Sequence, residues 1–467
     1  MLDKIAIVGG GVAGASVARH LGMLGLEVTL FEEKETLVDG PPFCHLHAGG
    51  NLYREISDAQ CLALLKQSIA FARLYPYVIE YRPTVIALPL EDAMAPEALL
   101  PRLQWLQKAY EALVLEEEEN AVLGDPKSYY RLYSKAEMEA LSKQEVCSVA
   151  STQDEWMVAL AQKLDLSKVQ YPLILVEEYG LNLFRLASGV TLELEALSCV
   201  TLQRETKVEK IVSSQGRWEL SFSHKGKMKR EKFDYVINAA GYQSGTVDAM
   251  VGVSTPRMVE FKAAYVTHCD ALEKSTFPEV IFHGERGTPQ GMGQFTPYAH
   301  GYVQLHGMTE EITLYADGLA RNSPTNVQPQ LPSHCIEKVE KGWQKEELTV
   351  RTKKAIAHLA RFLPFFSQAK VCDKPLFGIQ QIPGSDPTLR VAEVAFPLDK
   401  YARCEIVKVS SVSDMIEAIV KEWHFDGLRM VKQYPSLDEK KVEALAEKLC
   451  LERHYPSHLA QRVNPRA

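Results

Sequence analysis

Ile5-Ala6-Ile7-Val8-Gly9-Gly10-Gly11-Val12-Ala13-Gly14 decides how this chain is read, together with the later run Leu26-Glu27-Val28-Thr29-Leu30-Phe31-Glu32. The apolar, β-branched opening predicts a buried strand. Gly9, Gly11 and Gly14 predict a tight turn, and the small residues of 15–24 a helix. A second strand over 28–31 then delivers an acid. Each part has a physical reason. Gly9 permits the turn, Gly11 lets backbone approach a pyrophosphate, and Gly14 allows helix to pack closely on strand. Free amides at the helix N-terminus favour phosphate, and Glu32 can accept hydrogen bonds from a ribose diol. Gly9, Gly11, Val12, Ala13, Gly14, Glu32 and Glu33 are therefore candidate contacts to a dinucleotide. A tight βα turn without ligand is the ordinary alternative, but strand, turn, helix, strand and acid all fall in order here.

Further along, Phe233-Asp234-Tyr235-Val236-Ile237-Asn238-Ala239-Ala240-Gly241 reads as a buried strand ending in small residues. Val200 to Val212 reads as strand and turn. With Thr206-Lys207-Val208 and Asp234 to Gly241, the chain resembles the FAD-dependent oxidoreductases typified by D-amino-acid oxidase, sarcosine oxidase and glycerol-3-phosphate dehydrogenase. The resemblance implies FAD as cofactor, with the Val208 backbone against adenine and Ala240 and Gly241 beside the diphosphate. It also implies an α/β fold, in which a Rossmann-like FAD-binding domain is interleaved with an antiparallel-sheet α+β substrate domain. A weaker match lies at 133–141, where Ser134 and Glu137 form a capping-box pattern by themselves. NAD is disfavoured, because the returning strand and a later serine loop need a cofactor that reaches across the chain.

Size and composition agree. A chain of 467 residues is too long for one core and predicts two or three domains. The net charge of −8 gives no basic footprint for nucleic acid. Nine cysteines, an odd number with no CxxC pair, argue against a disulfide framework and for a reducing compartment. No apolar run reaches the roughly 18 residues of a spanning helix, and glycines break the N-terminal run that could mimic a signal peptide. The expected location is cytoplasmic, with peripheral membrane contact left open. The expected organisation places the FAD domain at 1–75, 151–244 and 333–435, the substrate domain at 76–150 and 245–332, and a helical tail at 436–467. A helix is expected from Asp58 to Leu74 behind an N-cap Ser57 with Gln60 three residues on. The helix from Gln153 to Leu164 is expected to return the chain to the FAD domain.

A flavin carries out the electron transfer, so the protein must orient substrate and tune the ring. The run Phe377-Gly378-Ile379-Gln380-Gln381-Ile382-Pro383-Gly384 stands where relatives carry a G-x-R strand facing substrate, and Gln380 occupies the arginine's place. An amide suits a carboxylate less well than an arginine fork does. Arg390 is the alternative cation, with a surface strand arginine as its ordinary reading. Lys408 to Asp414 resembles the family's last loop, with Ser410, Ser411 and Val412 expected at the flavin pyrimidine. A serine-rich turn opening a helix also favours the negative charge of a reduced flavin on its own terms. Between Pro41 and Asn51, His47-Ala48-Gly49-Gly50 is similar to the His-Ala-Ala-Gly of sarcosine and dimethylglycine dehydrogenases, whose histidine binds FAD covalently. Three readings stay open there: a covalent link at His47, noncovalent flavin packing by His47 and Ala48, and a metal held by Cys44, His45 and His47.

On the substrate side, Tyr302-Val303-Gln304-Leu305-His306 alternates with period two. Tyr302, Gln304 and His306 share one face, and Val303 and Leu305 the other. The polar face lines a cavity or meets solvent. His306 is the candidate base or substrate anchor. Arg257 and Lys262 are further anion-binding candidates, while His300, before Gly301, is expected in a turn. The expected activity is hydride transfer to flavin from a C–N or C–O bond of a small polar substrate: an amino acid, amine or hydroxy acid. Oxygen or a membrane quinone would reoxidise the flavin. A flavin-binding protein with a sensing role is the alternative, kept open by the arginine missing at Gln380.

Overall fold

A computed structural model describes residues 3–40, 43–45 (backbone only), 56–372, 374–389, 391–392, 394–430 and 437–463. The opening run forms the strand Lys4–Val8, which sits inside a six-stranded sheet. In spatial order the sheet is Val394–Leu398, Tyr401–Cys404, Tyr235–Asn238, Lys4–Val8, Glu27–Phe31 and Val200–Gln203. All neighbours are parallel except the Val394–Leu398 edge. Ile5 to Val8 are buried, as a parallel strand covered on both faces requires.

The helix Val12–Met23 follows the glycine turn and buries Ala13, Gly14, Ala15, Val17 and Ala18. Its small side chains bring the helix down onto the strands. A three-stranded meander (Thr206–Ser214, Arg217–His224, Lys227–Phe233) covers the sheet, with Phe222 and Phe233 packed on Phe31 at 4.8 and 5.9 Å between ring centres. Its turns are Gln215-Gly216 and Lys225-Gly226, both residues of each at positive φ. That is the backbone twist that two-residue hairpins favour.

The second sheet has ten strands. Its centre runs Arg257–His268, Tyr302–Gly307, Gly293–Pro297, Glu279–Phe282, Thr84–Ala87 and Leu173–Val176, and Leu376–Pro383 pairs with Arg257 to Ala264, the first two thirds of Arg257–His268. The two faces differ in what covers them. Ala263, Tyr265, Phe295, Val303 and Leu305 pack under the helices Gln153–Lys163 and Lys345–Ala360. Ala264, Val266, Ile86 and Ile174 share an apolar cluster with Ile5, Ile7 and Ala15 of the first sheet and its helix.

Two placements differ from the sequence expectation. The Gln153–Lys163 helix starts on its Thr152/Glu155 capping box but covers the large sheet instead of returning to the nucleotide sheet. The large sheet also takes Leu173–Val176 and Leu376–Pro383 from segments assigned to the FAD side. An amphipathic pattern states that a helix or strand has a buried face, but not which neighbour buries it. The caps are as expected: Ser57 accepts from the Gln60 amide, and Ser134 and Glu137 cap each other reciprocally. The helix Glu439–Glu452 packs along Leu183–Glu195, with Ser188 Oγ donating to the Val442 carbonyl at 2.7 Å. Among the described residues no helix is long and apolar enough to cross a membrane.

Candidate cofactor and substrate site

The three glycines behave differently. Gly9 has φ +103°, and a Cβ there would lie 2.4 Å from the Ala239 oxygen. A Cβ on Gly14 would lie 1.8 Å from the Gly9 oxygen, whereas one on Gly11 would meet nothing within 4 Å. Gly9 and Gly14 therefore serve the packing of turn on strand, and Gly11 borders open space. No side chain caps the Val12–Met23 helix and no acid occupies its first turn, so its positive end is not answered locally.

Glu32 closes the turn from the next strand. Its carboxylate accepts from Gly10 N–H at 2.6 Å and Lys34 N–H at 2.8 Å. Burial pushes its pKa up, against the pull of those two amides. Glu33 is exposed beside it, its carboxylate 3.7 Å from Lys207 Nζ. Thr206 N–H donates to the Glu32 carbonyl at 2.8 Å. Thr206 and the buried Val208 thereby start their strand directly beside the acid.

The strand Tyr235–Asn238 brings Ala239 N–H onto the Val8 carbonyl, and Gly241 turns away at φ +57°. Ala240 N–H donates to Asn238 Oδ1 at 3.2 Å. Asn238 belongs to a buried polar group that pattern reading missed. Asp248 accepts from Asn238 Nδ2, from Tyr401 Oη at 2.7 Å, from Arg403 at 2.6 Å and from Arg257. Arg257 is thus a structural ion-pair partner and not an anion-binding residue of the substrate side, which corrects the sequence expectation. The helix Val412–Glu422 begins at Ser410-Ser411, both buried. Ser411 Oγ donates to Gln67 Oε1, and Gln67 Nε2 to Asp414, which ties the loop to the helix Asp58–Leu74. Ser410 Oγ is buried and finds no partner among the described residues. Val412 is fully buried.

The large sheet carries its polar side chains on the face turned to the nucleotide sheet. Gln304 is 6% exposed, and its neighbours Thr296 and Gln294 are 2% and 0%. The alternation expected for 302–306 is observed, with Gln304 buried and Tyr302 and His306 half-buried on its polar face. His306 pairs with Gln294 across the strands, and its Nδ1 lies 3.3 Å from the Ala263 carbonyl oxygen. With Nδ1 as the donor, Nε2 carries the lone pair of the neutral ring. Gln294 Nε2 donates to Glu279, which also pairs with the buried Arg82. Gln294 and Thr296 show the same period-two signal one strand earlier, and it could have found them. Gln380 stands opposite Glu260, and its Oε1 accepts from Lys262 Nζ at 2.9 Å. Lys262 and Arg286 both pair with Glu260. Gln380 Nε2 is buried without a partner among the described residues. His300 lies in an exposed turn at φ +56°. His47, Ala48 and Arg390 lie outside the described residues.

Residues 4–361 match the family described as FAD dependent oxidoreductase. The chain belongs to this family. As an FAD-dependent oxidoreductase it is similar in fold to glycine oxidase from Geobacillus kaustophilus, at 13% identity and a TM-score of 0.54, over 92% of this chain and 97% of that one. L-α-glycerophosphate oxidase from Mycoplasma pneumoniae matches with a TM-score of 0.59 at 14% identity, over 93% and 97% of the two chains. L-amino acid deaminase from Proteus vulgaris matches with a TM-score of 0.58 at 13% identity, over 94% and 96%. No curated protein matches the chain. The residues present fit the family's cofactor: open space over Gly11, an uncapped helix end, and a buried serine hydroxyl without a partner where the last loop begins its helix. One group of potential metal ligands occurs among the described residues, Asp317, His334 and Cys335. Cys335 Sγ lies 3.7 Å from His334 Nδ1 and 3.9 Å from His334 Nε2, the nitrogen that bonds Asp317 at 2.8 Å.

Proposed function

We propose that this FAD-dependent oxidoreductase oxidises a C–N or C–O bond of a small polar substrate (an amino acid, amine or hydroxy acid) held against the large sheet. The observation that carries this reading is the polar face of the buried Gln294, Thr296 and Gln304 and the half-buried His306, set on a sheet whose other face is wholly apolar at the same strands. Buried polar side chains cost free energy unless they meet partners; Gln294 meets Glu279 and Thr296, and a polar guest would extend this hydrogen-bonded face. The flavin, when bound, takes up the hydride, which carries both electrons of the oxidation.

His306 is the proposed base or anchor. Its Nε2 lone pair can take the hydroxyl proton of a hydroxy acid, which an alcohol must lose and a neutral amine need not. Gln380 presents its amide beside Lys262, so the ammonium supplies the positive charge that the relatives' arginine would bring to a substrate acid group. Arg390 remains a second candidate for that charge. Ser410, Ser411 and Val412 are assigned to the flavin pyrimidine, Val208 to adenine, and Ala240 and Gly241 to the diphosphate. Molecular oxygen or a quinone is the proposed acceptor, and the cytoplasm the proposed location.

Anaerobic mixing of the holoenzyme with amino acids, amines, hydroxy acids and glycerophosphate tests the reading. Bleaching of the oxidised flavin by one class identifies the bond broken. Bleaching by dithionite but by none of these classes would reject the substrate assignment. His306→Asn is expected to lower kcat by about 10²–10⁴ for a hydroxy acid, and less for an amine. Acid precipitation separates the readings at His47: flavin left in the supernatant excludes the covalent link.

Cofactor binding is also expected to weaken in acid. Ionised, Glu32 accepts at both oxygens and is the stronger acceptor; protonation turns one oxygen into a donor, and its raised pKa brings that form in at a higher pH than for an ordinary glutamate. FAD affinity of the apoprotein should therefore fall as pH drops through that raised value. Glu32→Gln should remove the dependence; an identical pH profile in the variant would assign it to another group.

A further inference from the structure

We propose that Arg453, near the C-terminus and beyond the matched family region, is a positioning residue of the FAD site. It acts through the loop that follows Glu32. The Arg453 guanidinium, 8% exposed, donates to the carbonyls of Val38 at 3.1 Å and Leu37 at 2.8 Å, and to Thr36 Oγ1 at 3.0 Å. Its Nε lies 3.4 Å from Asp39. One side chain thus holds four consecutive residues.

Val38 is the reason this matters. It has φ +52°, a left-handed backbone that is sterically poor for a β-branched residue, and it is 2% exposed. In that conformation Val38 N–H donates to the Gly10 carbonyl at 2.9 Å. Leu37 packs on the same glycine: a Cβ on Gly10 would lie 2.7 Å from Leu37 Cδ2. Gly10 is therefore gripped from both sides, its N–H by the Glu32 carboxylate and its carbonyl by Val38. Strained backbone persists only where its surroundings over-determine it, and here the two carbonyl bonds from Arg453 do so.

Other contacts keep the arginine in place. Lys374 Nζ donates to the Arg453 carbonyl, Tyr455 Oη to the Pro375 carbonyl, and Asn182 Nδ2 to the Leu459 carbonyl at 2.6 Å. The C-terminal segment is thereby joined to the phosphate-cradling turn through a single side chain. Without it Val38 relaxes to negative φ, its N–H leaves Gly10, and the turn loses one of its two supports.

The test is FAD titration of apoprotein, followed by flavin fluorescence. Arg453→Ala is expected to raise the FAD dissociation constant by about ten- to a hundredfold, the range that corresponds to strain of this kind, with the far-UV circular dichroism of the apoprotein unchanged. Val38→Gly removes the strain, so Arg453→Ala/Val38→Gly should bind FAD within about threefold of the parent. Arg462→Ala, which loses contacts to Pro76 and Glu439 on the same segment, should bind as the parent does. Parental affinity in Arg453→Ala, a loss that Val38→Gly does not restore, or an equal loss in Arg462→Ala would each overturn the proposal. If Arg453→Ala does not fold, Arg453→Gln, which keeps the stem and an amide donor, is titrated with the same Val38→Gly partner.

Discussion

Gly14→Ala is expected to give a colourless, destabilised protein. The added methyl would sit 1.8 Å from the Gly9 carbonyl oxygen and 3.2 Å from the Ala239 side chain. Both are fixed groups, so no flexible side chain can swing away. Gly9 cannot retreat, because a Cβ there would already lie 2.4 Å from the Ala239 oxygen and its φ of +103° suits glycine alone. Overpacking in a well-packed core costs about 1–3 kcal/mol, and a backbone carbonyl at 1.8 Å puts this substitution at or above that range. Urea unfolding of the apoprotein and the flavin content after purification measure it. Gly11→Ala is the informative partner, since its methyl meets nothing within 4 Å. Its apoprotein should stay within about 0.5 kcal/mol of the parent while FAD affinity falls, because the methyl occupies the pyrophosphate's approach. Normal flavin content in Gly14→Ala would mean that helix and strand are not packed as described.

Asp248→Asn should be the second large loss, and one of stability, not of chemistry. Asp248 is fully buried and neutralises Arg257 and Arg403, which are 5% and 4% exposed. Removing its charge leaves one guanidinium excess in the interior, with Glu405 still balancing Arg403. Breaking a buried ion pair from one side costs about 3–5 kcal/mol, and this carboxylate serves two. The midpoint of urea unfolding should fall accordingly, in the presence or absence of FAD. A variant as stable as the parent would show that water reaches the group.

The legible parts of this molecule are local. Gly9 and Gly14 state their turn because the positive φ of Gly9 and the contact of Gly14 with the Gly9 carbonyl are local, and Ser57 and Ser134 state their helix starts for the same reason. The alternation at Tyr302 to His306 announces a two-faced strand, and Gln294 and Thr296 repeat it. What could not be read are pairings between distant residues. Arg257 looks like an anion site until Arg403 and Asp248 are seen around it. The Gln153–Lys163 helix shows its apolar stripe but not the sheet beneath it. Arg453 reaches Val38 across 415 positions, and nothing near either residue records the contact. Gln380 is an intermediate case: its departure from arginine is visible in sequence, but the lysine beside it comes from another strand.

The order of strands in the nucleotide sheet also sets when the protein can become an enzyme. Lys4–Val8 is made first, yet its neighbour Tyr235–Asn238 and the next strand, Tyr401–Cys404, emerge up to about four hundred residues later. At roughly 5–20 residues per second, the Lys4–Val8 edge stays unpaired for about 10–50 s until Tyr235–Asn238 emerges, and the sheet lacks Tyr401–Cys404 for about 20–80 s. FAD capture is thus an event of the last stage of synthesis or of the released chain. Cells short of riboflavin would accumulate finished apoprotein, not stalled synthesis, and added FAD should activate that pool without new translation.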